Sequence, residues 1–453
     1  MTALFGTDGV RGVANTELTP ELALTLGSLA GSRLRGESGL AVVGRDPRIS
    51  GAMLEACVCA GLASSGVRVL RAGVLPTPAV SWLVKDLGAD LGVVVSASHN
   101  PMPDNGLKFF GPGGGKLDAE TENLLAADVS RVSKGGKASW GWGEGERPTG
   151  AGVGDLVDFP EGAARYVSRF APITPKAGQL RVVVDCANGA TSRLAAQVYE
   201  ATGAEVITLN AEPDGLNIND RCGSTHLDGL RAAVLEEGAD LGLAHDGDGD
   251  RCLAVAEDGD VVDGDAIMAV LALGLHERGQ LRHNKLVVTV MSNLGLHIAM
   301  RAAGVELEVT QVGDRHVTDA LREGGYSIGG EQSGHVVIPE LGETGDGMVT
   351  GLRLISRIVE SGKSLSELAS VVQVYPQVLV NVPVVDKLAA ASDLSVLDAV
   401  ASAQERLGGK GRVLLRPSGT EQLVRVMVEA ESALSAHEVA EQVAGLVRAT
   451  NLK

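Results

Sequence analysis

Asp246, Asp248 and Asp250 stand at alternate positions in "HDGDGDRC", with Gly247 and Gly249 between them. Glycine lets the backbone curl, so alternate carboxylates can converge on one hard cation. Three carboxylates that close repel strongly unless a cation separates them. A solvated acidic turn is the plain alternative. An EF-hand loop would put Glu257 at its twelfth position, but Arg251 replaces the glycine needed at the sixth. The flanks "LGLA" and "CLAVA" also read as strands rather than helices. Mg²⁺ at a phosphate-handling site fits better, with Arg251 as a second positive partner.

A second candidate is Ser98. The apolar run Val93, Val94, Val95 breaks into Ser96, Ala97, Ser98, His99 and Asn100, with Lys108 further on. An Asn-Pro turn closing a core strand would explain this. So would a nucleophile or phosphate carrier, because open α/β sheets place ligands at the carboxyl ends of strands. Ser98 is not a G-x-S-x-G nucleophile elbow, since Ala97 and His99 flank it.

Other loops carry polar sets. In "GGEQSGH", Glu331, Ser333 and His335 alternate, and on an extended segment they would point to one side. A carboxylate, a hydroxyl and an imidazole suit a polyhydroxylated ligand such as a sugar; a surface turn is an equal reading. In "RPSGTEQLVR", Ser418, Gly419 and Thr420 form a tight turn between Arg416 and Arg425. Backbone N–H groups there make an anion nest, and arginine grips phosphate bidentately. A hairpin turn with incidental arginines is the alternative. "FGTDGVRG" adds Arg11, and "GRDPRIS" adds Arg45 and Arg48. Taken alone, the last two read as salt-bridged surface. "GPGGGK" is no dinucleotide fingerprint and the "GKS" at Gly362 no P-loop.

These loops need elements to position them, and those elements repeat. "LAVVGRDPRIS", "LRVVVDCANGATS" and "KLVVTVMSNLGLH" each open an apolar run into a loop and a helical segment. Each is followed by a second strand and then by a Gly-led strand ending in a polar loop: "GADLGVVVSASH", "GADLGLAHDGDGD", "GYSIGGEQSGH". The fold expected is α/β: three similar mixed α/β domains around a cleft, then a smaller α+β C-terminal domain. The boundaries are 1–155 with the Ser98 loop, 156–256 with the aspartate loop, 257–369 with the Glu331 loop, and 370–453.

Length and composition agree. A chain of 453 residues exceeds one ordinary core, and 44% hydrophobic with 21% charged residues is the balance of a folded protein. A net charge of −18 argues against nucleic acid or an anionic membrane as partner. No apolar run spans a membrane, and "MTALFGTDGVRG" lacks a signal-peptide pattern, so a cytoplasmic location is expected. The five cysteines are scattered, as reduced structural residues would be.

In this order, "SASHNP", "DGDGDR", "GGEQSGH" and "RPSGTE" resemble the α-D-phosphohexomutases over essentially the whole chain. "FGTDGVRG" and the glutamine of "GGEQSGH" resemble their branch acting on glucosamine phosphate; Gln422 departs from the proline often found there. The resemblance implies interconversion of glucosamine 6-phosphate and glucosamine 1-phosphate, feeding amino-sugar nucleotide and cell-wall precursor synthesis. Specificity for glucose or mannose phosphates and a non-catalytic sugar-phosphate binder are the rival readings. It implies that Ser98 carries phosphate and binds one Mg²⁺ with Asp246, Asp248 and Asp250. Lys108, Arg11, His99 and Arg251 would be catalytic, with Lys108, Arg11 and His316 competing as general base. Glu331, Ser333 and His335 would contact the sugar. Arg416, Ser418, Gly419, Thr420 and Arg425 would hold its distal phosphate, in a domain hinged near residue 370. Glucosamine 1,6-bisphosphate would be the intermediate and activator, and a homodimer is compatible with the family.

Overall fold

The computed structural model describes residues 4–6, 8–134, 148–418 and 421–450 (main chain only at 133 and 134). The chain divides into two compact units, Ala3–Met291 with Gly304–Val371, and Ser292–Ala303 with Val372–Lys453.

The larger unit holds three sheets. The first contains β1 (Val10–Val13), β2 (Leu40–Arg45), β3 (Arg68–Val74), β4 (Leu91–Val95), β5 (Asp104–Phe110) and β6 (Leu156–Asp158), in the order β1-β5-β4-β2-β3-β6. The second contains β7 (Arg181–Asp185), β8 (Glu205–Leu209), β9 (Leu241–His245), β10 (Cys252–Ala256) and β11 (Val261–Val262), in the order β11-β10-β9-β7-β8. The third contains β12 (Lys285–Thr289), β13 (Glu306–Thr310), β14 (Gly329–Gly330) and β15 (Val336–Val337), in the order β13-β12-β14-β15.

One plan underlies all three. A first strand (β2, β7, β12) pairs in parallel with the next (β3, β8, β13) and with a third (β4, β9, β14). The third then turns back into an antiparallel partner (β5, β10, β15). The turn after the third strand carries Ser98 in the first sheet, the aspartates in the second and Glu331–His335 in the third. Three chemically different loops therefore occupy one topological position.

Local sequence explains the strands. β4 (LGVVV) and β9 (LGLAH) are buried at every position, and their continuous apolar runs suit strands covered on both faces. In the first domain the helices Pro20–Leu34 and Gly51–Ser64 pack closely because Gly27 and Gly61 face each other's backbones. A Cβ at Gly27 would lie 2.4 Å from the Val58 carbonyl oxygen.

The breaks expected near 155 and 257 fall just ahead of β6 and β11, which still pair within the first and second sheets. A larger difference lies in the third repeat. Its first helix, Leu294–Ala302, follows β12 in the chain yet belongs to the C-terminal unit. Chain crossings at 291/292 and 303/304 therefore join the units, in addition to the one at 371/372.

The C-terminal unit has β16 (Gln377–Pro383), β17 (Gly411–Pro417) and β18 (Leu423–Ala430) in the antiparallel order β16-β18-β17. Val424, Val426 and Val428 face Ala440, Val443 and Val447 of the helix Ala433–Ala449 in its core. Glu429, fully buried, accepts from Arg412 Nε at 2.6 Å and from the Leu294 N–H at 2.9 Å. It thereby ties the helix Leu294–Ala302 to this sheet. Glu429→Leu leaves Arg412 uncompensated and should destabilise the C-terminal unit by about 3–5 kcal/mol. Urea unfolding followed on that unit tests this, and an unchanged midpoint would contradict it.

Candidate active site

Ser98 sits just beyond β4 in a left-handed backbone conformation, φ 53°, which L residues adopt at a cost of roughly 1–2 kcal/mol. Three neighbours hold it there. Ser96 Oγ accepts from the Ser98 N–H at 2.9 Å and itself donates to Asp46 at 2.6 Å. Arg48, with no exposed side-chain surface, pairs with Asp46 at 2.9 Å. Its Nη2 donates to the carbonyls of Ser98 at 2.9 Å and Asn100 at 2.8 Å, and its Nη1 to that of Pro101. Asn219 from the second domain donates to the Ser98 and Asn100 carbonyls as well, at 2.9 and 3.1 Å. Arg48 is thus a buried clamp on this loop, not the salt-bridged surface residue its local sequence suggests. Arg45 does pair with Glu55, at 3.0 Å.

The clamped loop aims Ser98 Oγ at Asp246 Oδ2, 2.5 Å away. Asp246, Asp248 and Asp250 are buried and offer ligand oxygens all within 4.8 Å of one another. Strands β9 and β10 flank them, as the rejection of an EF-hand required. Glycines make the approach possible: a Cβ at Gly247 would lie 2.6 Å from the Ser98 carbonyl oxygen, and Gly249 takes φ +70°. Thr77 Oγ1 donates to Asp248 Oδ2 at 2.5 Å, whereas Asp248 Oδ1 and Asp250 Oδ1 are buried without a hydrogen-bond partner. Burial raises the Asp246 pKa well above the usual carboxylate value, and Asp250 and Asp248 push it the same way. Orphaned oxygens on converging carboxylates are the donor set of a hard divalent cation. The residues fit Mg²⁺.

Lys108, on β5, lies 2.8 Å from Asp248, 3.2 Å from Asp250 and 2.8 Å from Asp8. Burial alone would discharge it, but Asp248, Asp8 and Asp250 outweigh burial and hold its pKa well above the lysine norm. Asp8 also pairs with Arg11 and with Lys116, and Lys116 continues to Asp314. His99 lies 3.4 Å from Ser98 Oγ; burial, with Arg251 and Arg11 nearby, brings its pKa down to about 4, so it is neutral at physiological pH. Arg251 Nε is buried without a hydrogen-bond partner, 3.9 Å from Asp250. His316 is exposed on the helix Asp314–Gly324.

The segment Glu331–His335 is not extended. It is the turn of the β14–β15 hairpin, closed by the Glu331 N–H on the His335 carbonyl at 3.0 Å. Its three side chains consequently part. Glu331 accepts from the Gly313 N–H at 3.0 Å, and Ser333 Oγ is occluded without a partner. His335 turns toward the aspartates, Nδ1 lying 3.6 Å from Asp250. Asp250 draws its pKa upward against burial, but the Gly345 N–H donating to Nε2 at 3.2 Å favours the neutral tautomer.

In the C-terminal unit, Arg416 and Arg425 stand directly opposite each other across the β17–β18 hairpin. Like charges so placed are destabilising unless an anion joins them. Burial, then Arg425, lowers the Arg416 pKa, and Arg425 Nε is buried without a partner. Ser418 Oγ accepts from the Glu421 N–H at 3.2 Å, and Lys387 Nζ donates to the Ser418 carbonyl at 2.5 Å. Gly419 and Thr420 lie outside the described residues.

Comparison with known proteins decides the family. Phosphoglucomutase/phosphomannomutase alpha/beta/alpha domains I, II and III match residues 2–135, 164–259 and 263–375, and the C-terminal domain of that family matches 379–446. The chain belongs to the phosphoglucomutase/phosphomannomutase family. The phosphoglucosamine mutase of Mycobacterium tuberculosis (strain ATCC 25618 / H37Rv) is 60% identical over 452 residues, 99% of each chain. That of Mycobacterium sp. (strain KMS) is 58% identical over 449 residues, 98% of each. With full-length identity at that level, the chain is a phosphohexomutase isomerase of the phosphoglucosamine mutase kind. Among solved structures, a phosphoglucomutase/phosphomannomutase family protein from Burkholderia thailandensis superposes with a TM-score of 0.81 at 25% identity, covering 99% of this chain and 98% of that one. Aspergillus fumigatus N-acetylphosphoglucosamine mutase, solved with GlcNAc-6P and magnesium, shares the fold at a TM-score of 0.68 and 20% identity, over 99% of this chain and 96% of that one.

Sequence reading of this phosphohexomutase missed Arg48, Asn219, Asp8, Lys116, Asp314 and Lys387. Arg48 had a usable signal: it follows β2, which neighbours β4, so its loop had to adjoin that of Ser98. Arg48→Lys keeps the charge but cannot reach three carbonyls and a carboxylate together. We expect kcat/KM to fall about 10²-fold, the scale of a misplaced reacting group, with near-native circular dichroism. Wild-type kinetics in that variant would show that the loop is held without the clamp.

Proposed function

We propose that this mutase interconverts glucosamine 6-phosphate and glucosamine 1-phosphate with the phosphoryl group carried on Ser98. The observation that carries this reading is Ser98 Oγ set 2.5 Å from Asp246, among carboxylates with orphaned oxygens. Asp246, Asp248 and Asp250, with an oxygen of the Ser98 phosphate, would hold one Mg²⁺. When bound, that ion supplies charge neutralisation for the phosphoryl group.

A sugar hydroxyl forms its bond to phosphorus as the bond from phosphorus to Ser98 Oγ breaks. The hydroxyl gives up its proton, and Ser98 Oγ takes one. The product is glucosamine 1,6-bisphosphate. It turns around, and Ser98 recovers the phosphate from the other end of the sugar. Most of the work is positioning and charge compensation. Lys108, charged while it sits among Asp8, Asp248 and Asp250, serves there as a cation and proton donor. To act as the base it must leave that pairing. His99, next to Ser98 Oγ, binds a proton too weakly with its pKa brought down to about 4 to serve as a base, and is assigned to orienting the serine.

Glu331 and Ser333 are assigned to the sugar hydroxyls, because the Ser333 hydroxyl is occluded and lacks a partner. His335, turned to Asp250, is assigned instead to orienting that carboxylate. Arg416, Ser418 and Arg425 are assigned to the substrate's other phosphate, on the strength of the two opposed arginines; Gly419 and Thr420 are carried with them by the sequence motif alone. Five free cysteines, four of them buried, fit a reducing cytoplasm.

Ser98→Ala should take up no phosphate and lose turnover by on the order of 10⁴-fold or more. Ser96→Ala should keep its phosphate on Ser98 while turning over more slowly. Peptide mapping by mass spectrometry with isomerisation kinetics checks both. Full turnover in Ser98→Ala would remove Ser98 as the carrier.

A further inference from the structure

A cavity of about 600 Å³ lies in the third domain, lined by residues with no part in the reaction above. Arg278, Arg282, Arg353 and Arg357 line it, with Glu340 and Glu360 as the acidic members, which leaves an excess of positive charge. That excess stands out in a chain of net charge −18. Arg278 is paired with Glu360 at 2.6 Å and Arg357 with Glu277 at 2.7 Å. Arg353, partly buried, forms no ion pair among the described residues. The Arg357 Nε is buried without a hydrogen-bond partner. Burial lowers the Arg353 pKa against the opposing pull of Glu340 and Glu360, with Arg278 adding to the lowering. The rest of the wall mixes polar Gln280, Ser327 and Ser356 with an apolar and aromatic part made by Leu275, Ile328, Ile338 and the Tyr326 ring. Planar guanidinium groups beside an aromatic ring and an aliphatic floor match a ligand with phosphates at one end and a flat base at the other.

The helices beside the cavity lead to the active site. Gly264–Glu277 supplies Leu271, Gly274 and Leu275 to the cavity at its C-terminal half. Its first N–H, on Gly264, donates to the Gln332 carbonyl in the sugar hairpin at 3.0 Å. Its capping residue Asp263 accepts from the Gln332 side chain at 3.1 Å. Gly347–Ser361 supplies Arg353, Ser356, Arg357 and Glu360, and its Gly347 N–H donates to Gly249 in the aspartate loop at 3.0 Å. Fifteen residues of helix transmit over about 22 Å. Arg278–Glu360 and Arg357–Glu277 bridge the C-terminal ends of the two, so an anion drawing on Arg278 or Arg357 would compete with a bridge between the helices.

We propose that this cavity is a second ligand site, for a nucleoside diphosphate, and that its occupation is felt at the sugar hairpin through the helix Gly264–Glu277. Uridine diphosphate is the probe, titrated calorimetrically into the full-length enzyme with glucosamine 1-phosphate saturating, so that the catalytic phosphate sites are filled. We expect one site per chain, weakened at least tenfold in the double variant R282A/R353A. Ser356→Trp, which fills the cavity and leaves the arginines in place, should abolish binding. Both variants should keep wild-type kcat and KM without nucleotide, and uridine diphosphate should change the glucosamine 1-phosphate KM at least twofold in wild type only. Inorganic pyrophosphate should bind at least tenfold more weakly, because it lacks the base. No binding heat, equal binding in both variants, an unaltered KM in wild type, or pyrophosphate binding as tightly as the nucleotide would overturn the proposal. Binding is read as heat, so it stands or falls separately from the role of Ser98.

Discussion

Three carboxylates within 4.8 Å of one another set the terms for the rest of the larger unit. At an effective dielectric near 20, each like-charged pair at that range costs roughly 3–4 kcal/mol. Three such pairs rival the whole stability of a typical domain, about 5–15 kcal/mol. The cluster persists only because positive charge is delivered to it. Lys108 reaches Asp248 and Asp250 from the first domain, and Arg251 stands beside Asp250. Asp246 relieves the remainder by favouring its protonated form. Its neighbour is the Ser98 hydroxyl, so the residue most in need of a cation adjoins the one proposed to carry phosphate.

Compensation ties the three domains together. Asp8, Lys108, Asp250, His335, Asp314 and Lys116 form a closed ring of buried or half-buried polar and charged groups. The first domain contributes Asp8 and both lysines, the second Asp250, the third His335 and Asp314. A ring of this kind adds little net stability, because desolvation offsets most of its attraction. Its contribution is positional: no loop can shift without stranding a charge on another.

Much of this was legible in the sequence, for a specific reason. The three Gly-led strands and their polar loops stand in one internal order, and that order is the shared sheet plan in which β4, β9 and β14 each turn back into an antiparallel partner. Loops at the same topological position can face a common cleft, which the pattern alone suggested; the pairing of Ser98 with the aspartates came from the family resemblance. What escaped reading depends on contacts across long sequence separations. Arg48 gains its meaning only from carbonyls some fifty residues away. Lys116 reads as the end of a glycine loop until Asp314 is brought to it. The Glu331 segment misled because alternation was read on an extended chain, whereas a two-residue strand leaves room only for a turn. The helix Leu294–Ala302 follows the repeat in sequence but is claimed elsewhere by buried Glu429, which no local pattern announces.

Ser98, in the proposed mechanism, carries its phosphate directly beside the cation that the aspartates hold. Phosphorus NMR of the purified enzyme measures that adjacency, with Mn²⁺ as a paramagnetic substitute for Mg²⁺. We predict a single phosphomonoester resonance, absent from Ser98→Ala, that broadens beyond detection at one equivalent of Mn²⁺ and is restored by excess Mg²⁺. A phosphoserine resonance left sharp by stoichiometric Mn²⁺ would place the metal away from Ser98 and contradict the account at its centre.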